Sequence, residues 1–94
     1  MVYLFINGNV KDFDMWHKVF IKFKPRLKEM GVTVTSIYRE IDNHQSLTVV
    51  HEFLLKEDAI KYVNNAEMKE VRKQAGVLAT PKIWYTEMLS SERW

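Results

Sequence analysis

A chain of 94 residues, of which 47% are hydrophobic, can build one hydrophobic core but not two, so we expect a single domain spanning residues 1–94. The absence of cysteine excludes disulfide bonds, thiol catalysis, iron–sulfur clusters and cysteine-based zinc sites. The formal net charge is only +2, with Lys and Arg interleaved with Asp and Glu, so neither a nucleic-acid nor a membrane partner is supported. The apolar run at the amino terminus has no basic flank and is shorter than a signal-peptide core, which predicts a cytoplasmic protein.

The first predicted elements are a strand over residues 2–7, which is rich in β-favouring residues, and a turn at Gly8 and Asn9. A helix follows, with Asp12 as its N-cap and Gly31 as the left-handed residue after its C-terminus. Its apolar residues recur at steps of three and four and form one stripe, which consists of Phe13, Trp16, Val19, Phe20, Phe23, Leu27 and Met30.

Pro25 lies inside this helical pattern. Proline cannot donate a hydrogen bond to the carbonyl of Ile21, and its ring clashes with the preceding turn. We therefore expect a kink or a short break near Lys24.

Two further strands are predicted over residues 32–41 and 47–55, which are rich in Val, Thr, Ile and aromatic residues. The polar residues 42–46 between them are typical of a turn. The two strands should therefore form a β-hairpin.

A second helix is predicted over residues 56–75, with Gly76 after its end. Asn64 and Asn65 interrupt it, and Asn64 with Glu67 three residues later can cap a new helical segment. We expect a break at this point.

The last predicted strand covers residues 82–88 and is entered through Pro81. Strand, helix and strand twice over is the β-α-β-β-α-β order of a ferredoxin-like α+β fold. This order predicts a four-stranded antiparallel sheet with two helices on one face.

The face of the sheet away from the helices is predicted to be apolar too. In the first strand, Tyr3 and Phe5 lie on the side opposite Leu4, and in the third strand Val50 lies opposite Val49. Such a patch marks an interaction surface, and a second copy of the chain is its simplest cover. The sequence therefore predicts a homodimer joined through the open sheet face, the alternative being a monomer whose tail or loops shield that face.

The length, element order and two-faced sheet resemble those of the dimeric α/β-barrel superfamily, in particular the antibiotic-biosynthesis monooxygenase-like group and its uncharacterised small members. The resemblance extends over residues 2–88 and rests on the segments 12–20, 30–32, 50–53 and 73–77. It implies a dimer whose two sheets form a barrel, with a pocket in each protomer between sheet and helices. Members of the superfamily include cofactor-independent oxygenases of aromatic polyketides or quinols, haem-degrading enzymes, isomerases, cyclases and ligand sensors.

The resemblance also implies a catalytic role for Asn7, because some members place a functional Asn at the end of the first strand. Haem-degrading members supply an iron-binding His from their second helix, and residues 56–75 contain no His. We therefore expect no haem or other cofactor. Three scattered His residues without Cys also predict no metal site.

His51 is the second catalytic candidate, since it shares a strand face with Val49 and Phe53, which we take to face the helices. The alternative is a hydrogen-bonded core histidine. His17 and His44 are expected at the surface.

Glu52 lies among apolar neighbours, where burial could raise its pKa into the range of a general base. The alternatives are an ion pair with Arg39 or Lys82 from another strand, or a salt bridge at the dimer interface.

The predicted pocket is apolar, and its ligand contacts come from Trp16, Phe20, Tyr38 and Phe53, although aromatic residues at such spacing also occur as plain core. The sequence is thus interpreted as a small-molecule-binding protein. The first candidate is a cofactor-independent monooxygenase, isomerase or cyclase that acts on an aromatic or apolar substrate. The alternative is a non-catalytic ligand-binding or structural dimer. Convergence of Asn7, His51 and Glu52 on one cavity would favour the enzyme.

Overall fold

Four strands and three helices follow one another in the computed structural model, which describes residues 1–94. In chain order they are β1 (Val2–Asn9), α1 (Phe13–Glu29), β2 (Val32–Arg39), β3 (Ser46–Phe53), α2 (Lys56–Asn64), α3 (Ala66–Gln74) and β4 (Lys82–Thr86). The strands form one antiparallel sheet in the order β2-β3-β1-β4. This confirms the predicted ferredoxin-like α+β fold, with the second helix divided in two. None of the helices has the length and apolar character needed to span a bilayer.

β1 lies at the centre of the sheet and continues through Gly8 and Asn9, where the sequence predicts a turn. Asn9 pairs with Ser46 at the start of β3, and its carbonyl accepts a hydrogen bond of 3.0 Å from the backbone N–H of Leu78. A Cβ atom at Gly8 would lie 3.2 Å from the Cβ of Pro81, so glycine suits this close approach. The predicted turn is wrong because neighbouring segments supply hydrogen-bond partners on both sides.

α1 begins and ends as predicted. The Asp12 carboxylate accepts a hydrogen bond of 3.2 Å from the backbone N–H of Asp14, and Gly31 follows the helix with a φ of +98°. The helix runs without interruption through Pro25, so the predicted short break is wrong, while the kink stays a prediction. Pro25 and Ile21 are both exposed, and the Ile21 carbonyl that loses its donor can therefore bond to water. Packing of the apolar stripe against the sheet holds the helix on both sides of the proline.

The predicted break in the second helix is confirmed, with Asn65 as the capping residue instead of Asn64. The Asn65 side-chain oxygen accepts hydrogen bonds from the backbone N–H groups of Glu67 at 2.8 Å and Met68 at 3.3 Å. Asn64 still belongs to α2, and its side chain donates to the carbonyl of Ile60 at 3.1 Å. The cap redirects the chain at the point where α2 ends and α3 begins.

The core fills the space between the sheet and the helices. Leu4 of β1 and Phe53 of β3 are completely buried, and burial of a side chain of this size stabilises the fold by about 1.5–3 kcal/mol. The whole cluster consists of Leu4, Leu27, Phe53, Ala59, Tyr62 and Met68, so β1, β3 and all three helices contribute to it.

The open face of the sheet has an apolar centre. One cross-strand row runs over all four strands, and the register places in it Ser36, Val50, Phe5 and Trp84. The rings of Phe5 and Trp84 stack with their centroids 5.4 Å apart. Residues 87–94 of the carboxy-terminal tail are all exposed, and the alternative of a shielded monomer stays open.

The cap assignment predicts a difference between two neighbouring asparagines. Asn65→Ala removes the acceptor for two backbone donors of α3 and should lower the free energy of unfolding by about 1 kcal/mol. Asn64→Ala is the matched control and should change it by less than about 0.5 kcal/mol. Urea denaturation of both variants measures the difference, and a larger loss for Asn64→Ala would contradict the assignment.

Candidate functional site

The sheet register divides the predicted site residues between the two faces. Residues directly opposite each other in an antiparallel pair carry their side chains on the same face. His51 is opposite Leu4 of the core and therefore faces the helices. Asn7 and Tyr38 are both opposite Thr48, three residues before His51 on the same strand, and therefore lie on the open face. The predicted pocket that joins Tyr38 to His51 is wrong, and the two catalytic candidates do not converge.

Asn7 ties β1 to β3 on the open face. Its side-chain nitrogen donates to the hydroxyl of Thr48 at 3.0 Å, the carbonyl of Leu47 at 3.1 Å and the hydroxyl of Ser46 at 3.4 Å. These contacts give Asn7 a structural place in the sheet, and its catalytic role stays a prediction.

Glu52 also lies on the open face, opposite Tyr3 of β1 and Val34 of β2. No ion pair within the chain includes Glu52, and both candidate cations lie over aromatic rings. The Arg39 guanidinium is 5.9 Å from the Phe13 ring centroid, and the Lys82 amine is 5.3 Å from that of Trp84. Glu52 is thus half-buried without an ion-pair partner in its own chain.

A cavity of about 80 Å³ lies between the helices and the sheet, and 14 of its 18 lining residues are hydrophobic. The predicted ligand contacts Trp16 and Phe20 line it, with their rings stacked nearly parallel and their centroids 5.5 Å apart. Phe53 does not line the cavity, because it is completely buried beside it, with its ring 5.9 Å from that of Tyr62. The helix stripe and the sheet therefore leave a space whose walls are largely aromatic and aliphatic.

His51 is one of the few polar residues of this cavity, and only 3% of it is exposed. Its Nδ1 lies 2.8 Å from the hydroxyl of Thr35, and its Nε2 lies 3.2 Å from the hydroxyl of Tyr62. Each of the two neutral tautomers satisfies both ring nitrogens, because either hydroxyl can donate or accept. His51 is therefore a hydrogen-bonded core histidine, which was the alternative to a catalytic residue. Its ring also borders the cavity.

Burial shifts the pKa values of this pair in opposite directions. It lowers the pKa of His51 to about 4, because the charged imidazolium is poorly solvated there. It raises the pKa of Tyr62 to about 12, an effect that the nearby positive charge of Arg72 partly offsets. Both side chains are consequently neutral around pH 7.

Arg72 of α3 is the third polar group of the cavity wall. Its Nη1 atom is buried and has no hydrogen-bond partner. Neither of the two ion pairs in the chain includes Arg72, since both are made by Arg26, with Glu29 and with Glu67.

Sequence reasoning misses Tyr62 and Arg72, although helical spacing gives a signal for both. Tyr62 follows the buried Ala59 by three positions, and Arg72 follows the buried Met68 by four and precedes the buried Ala75 by three. Each therefore lies on the buried stripe of its helix. Because Arg72 stands in a strongly charged run, the composition of α3 indicates an exposed residue and hides this placement.

The remaining histidines lie apart from the cavity. His44 is exposed in the hairpin turn, as predicted. His17 is half-buried and not at the surface as expected, because its ring stacks on that of Phe13 at 5.4 Å. No group of three His, Asp or Glu side chains is arranged to hold a metal ion.

The sequence matches no family model and no curated protein at a significant level. The fold, in contrast, is similar to many solved structures. A "putative antibiotic biosynthesis monooxygenase" from Bordetella bronchiseptica has a TM-score of 0.78 and 14% identity, with 95% of this chain and 97% of that chain covered. SnoaB, a cofactor-independent oxygenase from Streptomyces nogalater, has a TM-score of 0.77 and 12% identity, with 96% and 94% covered.

A second "putative antibiotic biosynthesis monooxygenase", from Caulobacter crescentus, has a TM-score of 0.73 and 15% identity, with 95% of this chain and 90% of that chain covered. Identity this low carries information about the fold and not about the activity. The resemblance seen in the sequence is thereby confirmed at the level of the fold: the chain has the α+β fold of the antibiotic-biosynthesis monooxygenase-like group.

Proposed function

We propose that this protein binds a small, mostly apolar molecule in the cavity between the sheet and the helices. The observation that carries the proposal is an apolar cavity with a few polar groups at its wall, namely His51, Tyr62 and Arg72. Ligand sites combine these two features, because apolar walls supply affinity and a few polar groups fix the orientation.

The cytoplasmic location and the lack of a nucleic-acid or membrane partner stay predictions.

The size of the cavity limits the ligand. Sites for drug-sized molecules have volumes of about 300–1,000 Å³, whereas this cavity measures about 80 Å³. The stacked rings of Trp16 and Phe20 form one wall and suit a flat partner. A single aromatic ring or a short aliphatic chain therefore fits best.

Cofactor-independent oxygenation is the second candidate, favoured by the similarity of the fold to SnoaB. In such a reaction the substrate supplies the electrons: a methylene between aromatic carbons takes one atom of O₂ as a carbonyl oxygen, and its two hydrogens leave with the other atom as water. The first step requires a base that removes a proton from the substrate. His51 is the only imidazole of the cavity, and its low pKa and its two hydrogen bonds make it a weak base. Binding without turnover is therefore our first candidate.

The proposal extends to the assembly: we infer that two copies pair through the open sheet face. Phe5 and Trp84 of this row are partly exposed in the single chain, and a second copy is their simplest cover. Glu52 would then lie in the interface, where a residue of the partner could pair with it. The cavity lies on the opposite side of the sheet, so pairing leaves it free.

The first prediction of the proposal concerns the ligand. Titration with single-ring aromatic compounds, followed by protein NMR, should shift resonances of Trp16, Phe20 and His51 and leave those of Val50 unchanged. Ala75→Leu enlarges a buried lining residue and should abolish the shifts, whereas the control Ala66→Leu on the exposed start of α3 should preserve them. Oxygen uptake with a compound that carries a methylene between aromatic carbons, and with no added cofactor, would move the oxygenase to first place. Shifts confined to the open face, or none with any compound, would contradict the proposal.

The second prediction uses two neighbouring residues of β4 that lie on opposite faces. Trp84 and Tyr85 are similarly exposed, at 36% and 40%, but only Trp84 lies in the row with Phe5. Trp84→Lys should convert the dimer to a monomer, because it places a charge in the interface. Tyr85→Lys should leave the dimer intact. Sedimentation equilibrium distinguishes these outcomes, and a wild-type monomer at micromolar concentration would contradict the inferred dimer.

The third prediction follows from the neutral state of His51. Its pKa falls from 6.5 in the unfolded chain to about 4 in the fold, so the unfolded state binds the proton more tightly. The stability contributed by neutral His51 is complete above pH 6.5 and decreases as the pH falls to about 4, by up to about 3 kcal/mol. His51→Gln should therefore lose less stability than wild type over this range in urea denaturation. His44→Gln should follow wild type, and equal losses in all three proteins would contradict the buried neutral state.

A further inference from the structure

The cavity wall contains one formal charge without a countercharge. Arg72 carries a positive charge, while His51 and Tyr62 are neutral around pH 7. Glu67, the acidic residue of α3 that makes an ion pair, is engaged with Arg26 of α1 at 3.0 Å. The cavity wall therefore includes a half-buried cation that has no ion-pair partner in the chain.

The state of the Nη1 atom of Arg72 distinguishes it from an ordinary surface cation. Nη1 has no contact with solvent and no hydrogen-bond partner, whereas the neighbouring Lys73 is exposed. A buried donor without an acceptor destabilises a fold, and such a group in a native structure calls for an explanation. An acceptor supplied by a ligand meets this requirement, and a negatively charged acceptor meets it best.

We propose that the ligand of the cavity is a small apolar carboxylate, whose carboxylate group binds Arg72 and whose apolar body contacts Trp16 and Phe20. This inference rests on the proposed function, because it names the ligand class of the same cavity. A carboxylate matches the planar guanidinium group, which can donate two parallel hydrogen bonds to it. The aromatic wall then fixes the remainder of the molecule.

Tyr62 is suited to a second contact with the same carboxylate. When the hydroxyl of Thr35 donates to Nδ1 of His51, Nε2–H of His51 donates to the oxygen of Tyr62. The hydroxyl proton of Tyr62 is then free for an acceptor in the cavity. The hydrogen-bonded chain from Thr35 through His51 thus orients a neutral donor beside the cationic one, and we assign His51 as a positioning residue.

The test compares benzoate with benzamide, which has nearly the same shape without the charge. Isothermal titration calorimetry of the full chain at neutral pH should give wild type an affinity for benzoate at least about tenfold higher than for benzamide. Arg72→Met should weaken the affinity for benzoate by at least about tenfold and the affinity for benzamide, whose carbonyl is a neutral acceptor, by clearly less. Lys73→Met removes the same charge from the exposed side of α3 and should leave both affinities unchanged.

The unliganded stability provides an independent measurement. Arg72→Met should keep or raise the melting temperature of the free protein, because it replaces an unpaired buried donor by an apolar group. A purely structural arginine would instead lower it.

The outcomes separate this inference from the proposed function. Binding of neither compound to wild type would overturn both. Equal binding of benzoate and benzamide, or an unchanged benzoate affinity in Arg72→Met, would overturn the carboxylate inference and leave the small-molecule site in place.

Discussion

The antiparallel pairing of β1 with β3 at the centre of the sheet determines which side chains face the helices and which lie on the open face. Each residue of one strand shares its face with the residue opposite, so Leu4 and His51 face the helices while Phe5 and Val50 face away. A shift of this register by one residue would exchange the two sets completely. Because both sets are rich in apolar side chains, each face needs a cover. The helices cover one face, and we infer that a second copy covers the other.

On the helix side, the consequence of burial is chemical as well as structural. His51 loses its solvent and becomes a poor base, but it gains two hydrogen bonds that fix its ring. The same exclusion of water gives the positive charge of Arg72 more influence than it would have at the surface. A site of this kind is better prepared to hold an anion than to remove a proton. The similarity of the fold to an oxygenase therefore says less about this cavity than its own residues do.

Most of the fold could be predicted from the sequence, because strand composition, helical spacing and glycine positions all indicate the same topology. The errors occur where long-range contacts override local preference. Gly8 and Asn9 join β1 because neighbouring segments supply partners, and the helix passes Pro25 because packing holds both of its halves. The site was predicted less well: Trp16, Phe20 and His51 line the cavity, while Tyr38 and Asn7 do not. The alternation of side chains along the strands separates them, and the charged run around Arg72 hides its partly buried position from the sequence.

A crystal structure of the protein with benzoate tests the central claim most directly, because it locates the ligand and its partners together. We expect the benzoate ring against Trp16 and Phe20, and a carboxylate oxygen within hydrogen-bonding distance, about 2.7–2.9 Å, of Nη1 of Arg72. The hydroxyl of Tyr62 should contact the same carboxylate. Benzoate on the open face of the sheet, or a closed cavity with Arg72 paired to a carboxylate of its own chain, would contradict the proposed binding mode.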